Sequence, residues 1–578
     1  AVLVAMDLNS VGKTDVIKPL NVVTNKPDTV TILVDGMQRS FRSNDMLWLS
    51  AITSLNLPDV PFIGIFTHPA NLLRALVTKD PGFMLANMMR DSMQAMVASD
   101  YSTVNPATTL ANFASALAGK SPEFKALMNA GLLGGHEYSK DIIHSGKAFA
   151  RDLRKITGQK TTTETLLSPV TGLWDALEKG TTASDSATRQ QIYKEVLERT
   201  KSNAYPNGNM AEAVFRAMEV MNFNRKGNSA LIRILTATIP FFNARIQGLD
   251  VLYRAGMGIG TDKKSAAAIQ KQFFIRGATM FALSCMYWSL THDDDDYKKQ
   301  EQETKDNYWL LPSLGVKIPI PFEIGIMFKV IPERIMAAYF GTDTGADFAK
   351  SMKRQVVNTL DVNWFMPQAI KPILETVTNH SFFTDRSIVG KGMENVAEGY
   401  QVSPTTSKIA AEIGKAAGYS PMKIDHLISG YTGTMGMYAF NLFDSIFKMN
   451  DDKTYASTRF EQTPVLKRFL IDPQARGTVT AYYETKNEVD SVVRTASLME
   501  RTMNYKEWGP YYKDNIKMIA THDYLLDLEN TMKELREMRM QITSNKAEPD
   551  QKRDALANLN KLEAKLTANI QIIKKNMQ

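Results

Sequence analysis

Few places in this 578-residue chain carry residue types whose spacing could do chemistry. Gly12-Lys13-Thr14 ends like a phosphate-binding loop. The glycine that should open that loop falls on Asp7, so the backbone cradle for phosphate is not encoded. His136-Glu137 opens like a zinc-protease helix, but the second histidine would stand at Lys140, and His144 is two turns away. Asp293–Asp296 sets four carboxylates side by side without the alternation of a cation-binding loop, which favours a solvated acidic turn. The remaining histidines are dispersed, and no G-x-S-x-G elbow is present. No paired carboxylates stand out for acid–base work. Cys285 is the only cysteine, which excludes an intrachain disulfide and any cysteine-based metal site. Its neighbours Leu283, Met286 and Trp288 predict a buried, inert thiol. The residues therefore assign no catalytic, cofactor-binding or metal-binding position, and no enzyme activity or cofactor is expected.

Two binding patterns compete with purely structural readings. Residues 407–429 run short helix, Gly418, Ser420, Pro421, second helix, the outline of a helix-turn-helix. Met422, Lys423, Asp425 and His426 give its second helix little basic character, so a packed helical corner is favoured over DNA reading. Residues 273–290 are the most apolar helix, with Phe273, Phe274, Met280, Phe281, Met286 and Trp288 as the residues that could meet a membrane. A span needs about 20 apolar residues. Arg276 leaves only Gly277–Leu290 uninterrupted, so the length rule favours a buried helix over a conditional membrane element.

Composition sets the frame for these elements. A hydrophobic share of 44% supplies real cores and excludes wholesale disorder. A net charge of +7, from 68 basic and 61 acidic residues, is compatible with a nearby polyanion. It lacks the concentration of a dedicated DNA-binding module. The 31 methionines suit either irregular core filling or a chain that must repack. The start, AVLVAMDLNSV, has no basic n-region of a signal peptide; it lacks an initiator Met and opens on an apolar run, which fits either a piece of a longer polypeptide or simple Met removal before Ala1.

The pattern along the chain predicts a mainly α, extended multi-helix assembly. A small N-terminal β-hairpin spans 29–43 around Asp35-Gly36. Helical spacing begins near residue 45 and is clear at Asn71–Val77 and Met84–Val97, with Pro81 at a helix start. Ser229 should cap a helix carrying Leu231, Ile232, Leu235 and Ile239. Pro240 should then force a kink or a new start before an arm with Ile246, Leu249, Leu252 and Tyr253 on one side. Asp250 and Arg254 should pair one turn apart, and Arg233, Arg245 and Arg254 read as solvated or salt-bridged. A short β or extended element is expected near 308–321, where Pro319 and Pro321 confine Val316–Ile320 to an edge or connector. Pro332 should interrupt the apolar stretch that follows. A C-terminal helical hairpin pairs Leu525, Leu528, Met532, Leu535 and Ile542 with Leu559, Leu562, Leu566, Ile570, Ile573 and Met577. Arg539 intrudes on the first stripe. The expected divisions are 1–60, a β-containing segment; 61–227 and 228–490, helical domains; and 491–578, the hairpin.

Five segments, in order, carry a resemblance: DPGFMLANMMRDSMQAM at 80–96, TIPFFNARIQGLDVLYRAG at 238–256, NYWLLPSLGVKIPIPFEIGIMFKVIPER at 307–334, SPMKIDHLISGYTGTMG at 420–436 and TPVLKRFLIDPQARGTVTAYYE at 463–484. Together they resemble the C-terminal helical region of phage large polyvalent proteins and the internal virion (ejection) proteins of short-tailed phages, over about residues 60–490. The resemblance implies a structural virion protein, packaged inside the capsid or tail and delivered with the genome. It would help DNA cross the host cell envelope and reside there after ejection. The implied partners are other virion and ejection proteins, portal or tail components, double-stranded DNA bound non-specifically, the host membrane, and further copies of the chain. The alternatives are the non-catalytic C-terminal part of a giant virion-packaged RNA polymerase or other polyvalent enzyme, and a membrane-active module. Any DNA path would be lined by dispersed Lys and Arg.

Overall fold

The computed structural model describes residues 17–20, 22, 29–34, 37–44, 61–130, 168–220, 229–259, 263–341, 345–360, 366–382, 386–390, 393–403, 406–448, 459, 461, 463, 465–545 and 547–577. Gly12-Lys13-Thr14, the pair Asp35-Gly36, and His136-Glu137 with Lys140 and His144 lie outside them. The fold is mainly α, as the apolar spacing predicts. Near the N-terminus three strands, β1 (Ile17–Leu20), β2 (Thr29–Val34) and β3 (Met37–Ser43), form an antiparallel sheet in the order β1-β3-β2. Val34 pairs with Met37, the register of a two-residue connection, so the expected hairpin is present. Its third strand was hidden in the sequence: Ile17–Leu20 is only four residues long and includes Pro19.

In the first helical layer three helix starts combine proline with a side-chain cap. The layer comprises α1 (Ile63–Thr78), α2 (Pro81–Ala98), α3 (Pro106–Leu117), α4 (Pro122–Asn129), α5 (Ser168–Arg199) and α6 (Met210–Glu219). Asp80, Asn105 and Ser121 each accept a hydrogen bond from the first turn, and a proline follows each of them. That proline has no N–H to leave unsatisfied, and its fixed φ suits the helix. α5 is the spine against which α2, α3, α4 and α6 pack. Ala95, Leu127, Ile192, Val196, Ala213 and Ala217 close this core.

The middle of the chain supplies α7 (Ala230–Thr238), α8 (Phe242–Met257), α9 (Lys263–Thr291), α10 (Asp295–Lys299) and α11 (Gln302–Asn307). The hairpin β4 (Tyr308–Leu311) and β5 (Val316–Pro319) follows, with Tyr308 opposite Pro319. The predicted short β element is therefore present. Pro319 stands where its ladder ends, and the chain beyond β5 leads into α12 (Phe322–Gly325). The other side of β5 is partly covered, since Lys317 N–H donates to Phe469 O at 2.7 Å. Pro332 does not interrupt the chain here. A π-turn over Ile326–Val330 joins α12 to α13 (Ile331–Tyr339), and Pro332 sits in the first turn of α13. Proline cannot donate to the carbonyl four residues back, that of Phe328. Widening to the π form absorbs the mismatch, and Ser284 Oγ of α9 donates to Phe328 O at 2.8 Å. Ser229 stands at the N-cap of α7 but makes no side-chain cap bond. Leu231 and Tyr253 face outward, and Thr236, Thr238 and Gln247 are buried instead.

The last third contains α14 (Gly345–Leu360), α15 (Lys371–Val377), the two-residue strands β6 (His380–Ser381) and β7 (Arg386–Ser387), α16 (Lys408–Ala417) and α17 (Pro421–Lys448). Gly418 takes φ 65° between α16 and α17, the turn expected of this corner. α17 breaks its helical dihedrals at Gly433, with φ 61°. A Cβ there would lie 2.7 Å from Val77 Cγ2, so glycine lets α17 press against α1. The chain ends in α18 (Gly477–Arg501), α19 (Tyr505–Asp514), α20 (Ile516–Ser544), α21 (Pro549–Leu566) and α22 (Ile570–Met577). The hairpin of α20 with α21 and α22 is present, and α18 packs against it. Tyr482 and Val489 of α18 share a core with Leu525, Met532, Leu559 and Ile570. Leu562 and Leu566 are exposed, because α18 claims the inner side of the returning helix through Thr478 and Thr567, whose hydroxyls meet at 2.9 Å.

Candidate functional site

Helix α2 is the point at which remote segments meet. Asp80, fully buried at its N-terminus, caps Gly82 N–H at 3.0 Å and accepts Arg468 Nη2 at 2.6 Å. The same guanidinium reaches Thr434 Oγ1 at 3.4 Å. Midway along α2, Arg90 Nε donates to Ile320 O at 3.1 Å. Gln94 Nε2 donates to Gly248 O at 3.5 Å. At the C-terminal end Arg276 Nη1 of α9 closes Met96 O and Ser99 O at 2.6 and 2.9 Å. Arg74 does the same for α7, binding Thr236 O, Ala237 O and Ile239 O at 2.6–3.3 Å. A cation suits the negative end of a helix dipole and satisfies its last carbonyls. Burial lowers the Arg74 pKa to about 10, which leaves it charged at neutral pH. The segments at 238–256, 307–334 and 463–484 thus hydrogen-bond to 80–96, and 420–436 joins them through Arg468.

Beside α2 lies a cavity of about 300 Å³, bounded by α5, α6, α8 and α9. Its charged lining includes Asp91, Asp185, Arg189, Arg216, Glu219 and Arg254. Arg254 meets Glu219 at 3.0 Å and Asp250 at 2.8 Å, the latter being the expected pair one turn apart. Arg189 meets Asp185 at 3.3 Å and Arg216 meets Glu212 at 2.7 Å. Each guanidinium already faces a carboxylate, so an anion would have to displace an internal partner. Asp91 is the odd group. Burial pushes its carboxyl up to about 7, the charge of Asp185 adds to this, and Arg189 opposes it. Asn87 Nδ2 donates to it at 3.0 Å.

A second buried ionic cluster lies inside the proline-punctuated joint. Lys329 and Glu333 are both 0% exposed and meet at 3.0 Å across the π-turn. Lys329 Nζ also donates to Lys305 O. Asp306 accepts Gln302 Nε2 at 2.7 Å and Ser351 Oγ at 2.6 Å, with Arg334 Nε 4.0 Å away. Burial pushes Glu333 up to about 7, while Lys329 and Arg334 hold it down. Burial also raises the phenols of Tyr287 and Tyr297 beside it. A carboxyl poised near neutrality resembles an acid–base group. Neither it nor Lys329 reaches the surface, so this arrangement fixes the joint rather than meeting a substrate.

The acidic run Asp293–Asp296 is used locally. Asp294 caps Asp296 N–H and Tyr297 N–H at 2.8 and 3.1 Å, Asp293 meets Lys298 at 3.2 Å, and Asp296 meets Lys299 at 3.1 Å. In the helix-turn-helix outline, Asp425 is bound to Ser407 N–H and Oγ at 2.7 and 2.6 Å. His426 Nε2 lies 2.9 Å from Glu375 Oε2. Two polar side chains that would read bases are thus committed inward.

The six residues singled out on 273–290 are divided by α9. Phe273, Met280 and Trp288 belong to the core of this fold, so of the six only the other three are open to a membrane in it. The core three recur at helical spacing and point where Phe328 and Phe340 supply ring contacts at 5.5 and 5.6 Å. Phe274, Phe281 and Met286 are 57%, 36% and 56% exposed. Cys285 is half-buried between these faces rather than enclosed, with its thiol raised by burial. Among the described residues no helix is long and apolar enough to cross a membrane. Arg276 interrupts the apolar run of α9 and leaves only Gly277–Leu290, which is shorter than a span. Sequence reasoning missed the α2 assembly. Its signal was present in Asp80-Pro81, Arg90 and Arg276, but their partners lie far along the chain.

Residues 294–466 match a family model described as Large polyvalent protein associated domain 38. The match takes in the β4–β5 joint, the buried ionic cluster and the corner of α16 and α17, and ends just before Arg468. The segments at 80–96 and 238–256 lie outside it. The chain matches no curated protein and no solved structure.

Proposed function

We propose that the chain is a structural, non-catalytic component of a phage ejection apparatus, packaged in the virion and delivered with the genome to help DNA cross the host envelope. The observation that carries this reading is the match of residues 294–466 to a domain associated with large polyvalent proteins. The fold is consistent with it. A mainly helical chain with a single cysteine has no covalent staple to break before passing through a narrow channel. Its tertiary ties are apolar packing, hydrogen bonds and ion pairs, all of which can reform afterwards. In this reading the partners are other virion proteins, portal or tail components, non-specifically bound DNA and further copies of the chain. The test is peptide mass spectrometry and immunogold labelling of intact and DNA-emptied particles. The chain should be present in the former and lost from, or moved within, the latter. Absence from intact particles would sink the proposal.

A polyvalent-protein domain at residues 294–466 is equally compatible with a second reading. Here the chain is the non-catalytic C-terminal part of a giant virion-packaged polymerase or other polyvalent enzyme. The size of the virion polypeptide separates the two. A band near 64.6 kDa supports a separate structural protein, and peptides of this chain within a much larger band support the second reading.

A further inference from the structure

We infer that the outer face of α9 is a self-association surface, on which a second copy of this chain docks its own α9 antiparallel. From Gly277 to Thr291 the helix carries no charged residue. Its core side is narrow, formed by Phe273, Gly277, Met280, Ser284 and Trp288. At 100° per residue the opposite side spans more than half the circumference. It leaves Phe274, Ile275, Phe281, Leu283, Met286 and Leu290 uncovered, the last at 77% exposure. Tyr339, the last residue of α13, and Phe340 just past it extend the same surface, since the Phe340 ring lies 5.6 Å from that of Trp288.

Area decides that this is more than ordinary surface. At about 150–250 Å² for an aromatic side chain, the uncovered parts of Phe274, Phe281, Tyr339 and Phe340 alone come to roughly 340–570 Å², and Ile275, Leu283, Met286 and Leu290 add to it. The largest apolar patch of a typical monomer is about 300–600 Å². A standard interface buries about 800 Å² on each partner. Shape agrees: Ala278, Ala282 and Ser289 form a shallow line between the larger side chains, into which a partner helix can set its ridges.

Charge selects the occupant and its direction. Lys264 and Lys271 are exposed at the N-terminal end of α9, and Asp293, Asp294 and Asp295 are exposed just past its C-terminal end. An antiparallel copy brings each basic end against an acidic one, and the contact is isologous, so it closes as a two-fold dimer. A lipid surface fits less well. An interfacial helix needs a basic fringe along its apolar face, and this face has none between Gly277 and Thr291.

The experiment uses the whole chain in solution and does not depend on its presence in any virion. Sedimentation equilibrium should give twice 64.6 kDa at micromolar concentration. Phe274→Glu with Met286→Glu, both at exposed positions, should give the monomer with an unchanged far-UV circular dichroism spectrum. Lys264→Glu with Lys271→Glu should weaken the dimer about tenfold, the effect of roughly 1.4 kcal/mol at the rim. Adding Asp293→Lys and Asp295→Lys should restore it, because reversing both ends recreates the complementarity. A monomeric wild type, a double-Glu variant that stays dimeric, or failure of the second reversal to rescue would each overturn the inference. So would a wild-type monomer that binds anionic vesicles through this face.

Discussion

The guanidinium is the joining group of this chain. Arg74 and Arg276 close the carbonyl ends of helices that lie 162 and 180 residues from them. Arg476 and Arg539 enclose Glu563, a fully buried carboxylate, at 2.7 and 2.9 Å. Arg539 also donates to Asn560 Oδ1 at 2.6 Å. Removing one member of a buried ion pair leaves an uncompensated charge and costs about 3–5 kcal/mol, whereas replacing the whole set by apolar residues is often neutral. Glu563→Gln should therefore lower the unfolding free energy of the α18–α22 bundle by that order, read as a lower urea midpoint. The triple replacement Arg476→Met, Arg539→Leu, Glu563→Leu should recover most of it. A loss no larger than that of a surface substitution would show that water, not the pair, solvates Arg539. The sequence made Arg539 visible as a charge on an apolar stripe. It did not show Glu563 as the answer, because alternating charges on a helix face look the same whether solvated or buried.

At the scale of the element, α9 and the π-turn are one unit. Gly277 is the contact that allows it: a Cβ there would sit 2.5 Å from Phe328 Cζ and 2.6 Å from Phe328 Cε1. Gly277→Ala suits a helix intrinsically but overpacks this crossing, so it should destabilise by about 1–3 kcal/mol. Thermal unfolding measures the loss, and the near-ultraviolet circular dichroism of the α9–α13 aromatics should weaken with it. A gain in melting temperature would mean that the ring of Phe328 swings away freely. The prolines made this region legible as a joint, and the β4–β5 hairpin appears where they confine it. That the chain stays helical through Pro332 was not legible, since the compensating Ser284 is 44 residues from the carbonyl it serves. The apolar run of α9 was legible too. Which of its residues face inward depends on α2, α8 and α13, so the six candidates divided into core and surface.

For the whole molecule, buried carboxyls set how stability follows pH. Asp91 and Glu333 have folded pKa values raised to about 7, so the folded state holds their protons more tightly than the unfolded chain. Their contribution grows as pH falls from about 7 toward 4.5. Glu195 and Glu375 behave oppositely: burial alone would raise them, but hydrogen bonds hold both below the usual carboxylate range. For Glu195 these come from Thr103 and Ser102, and for Glu375 from His426 and the Phe382 N–H. Their contribution is lost as pH falls below about 4.5. The urea midpoint should therefore rise between pH 8 and pH 5 and fall again in stronger acid. Asp91→Asn should flatten the rising limb, and an unchanged limb would remove Asp91 from this role. How the helices assemble also fixes an order of events. Asp80 and Arg468 are separated by 388 residues. A ribosome adding about 5–20 residues per second takes roughly 20–80 s to cover that interval. For that time the Asp80 carboxylate has no guanidinium, and the α2 assembly cannot close. Nascent chains of this protein should accordingly dwell in a partly assembled state that chaperones and proteases can recognise, until residue 468 has left the exit tunnel.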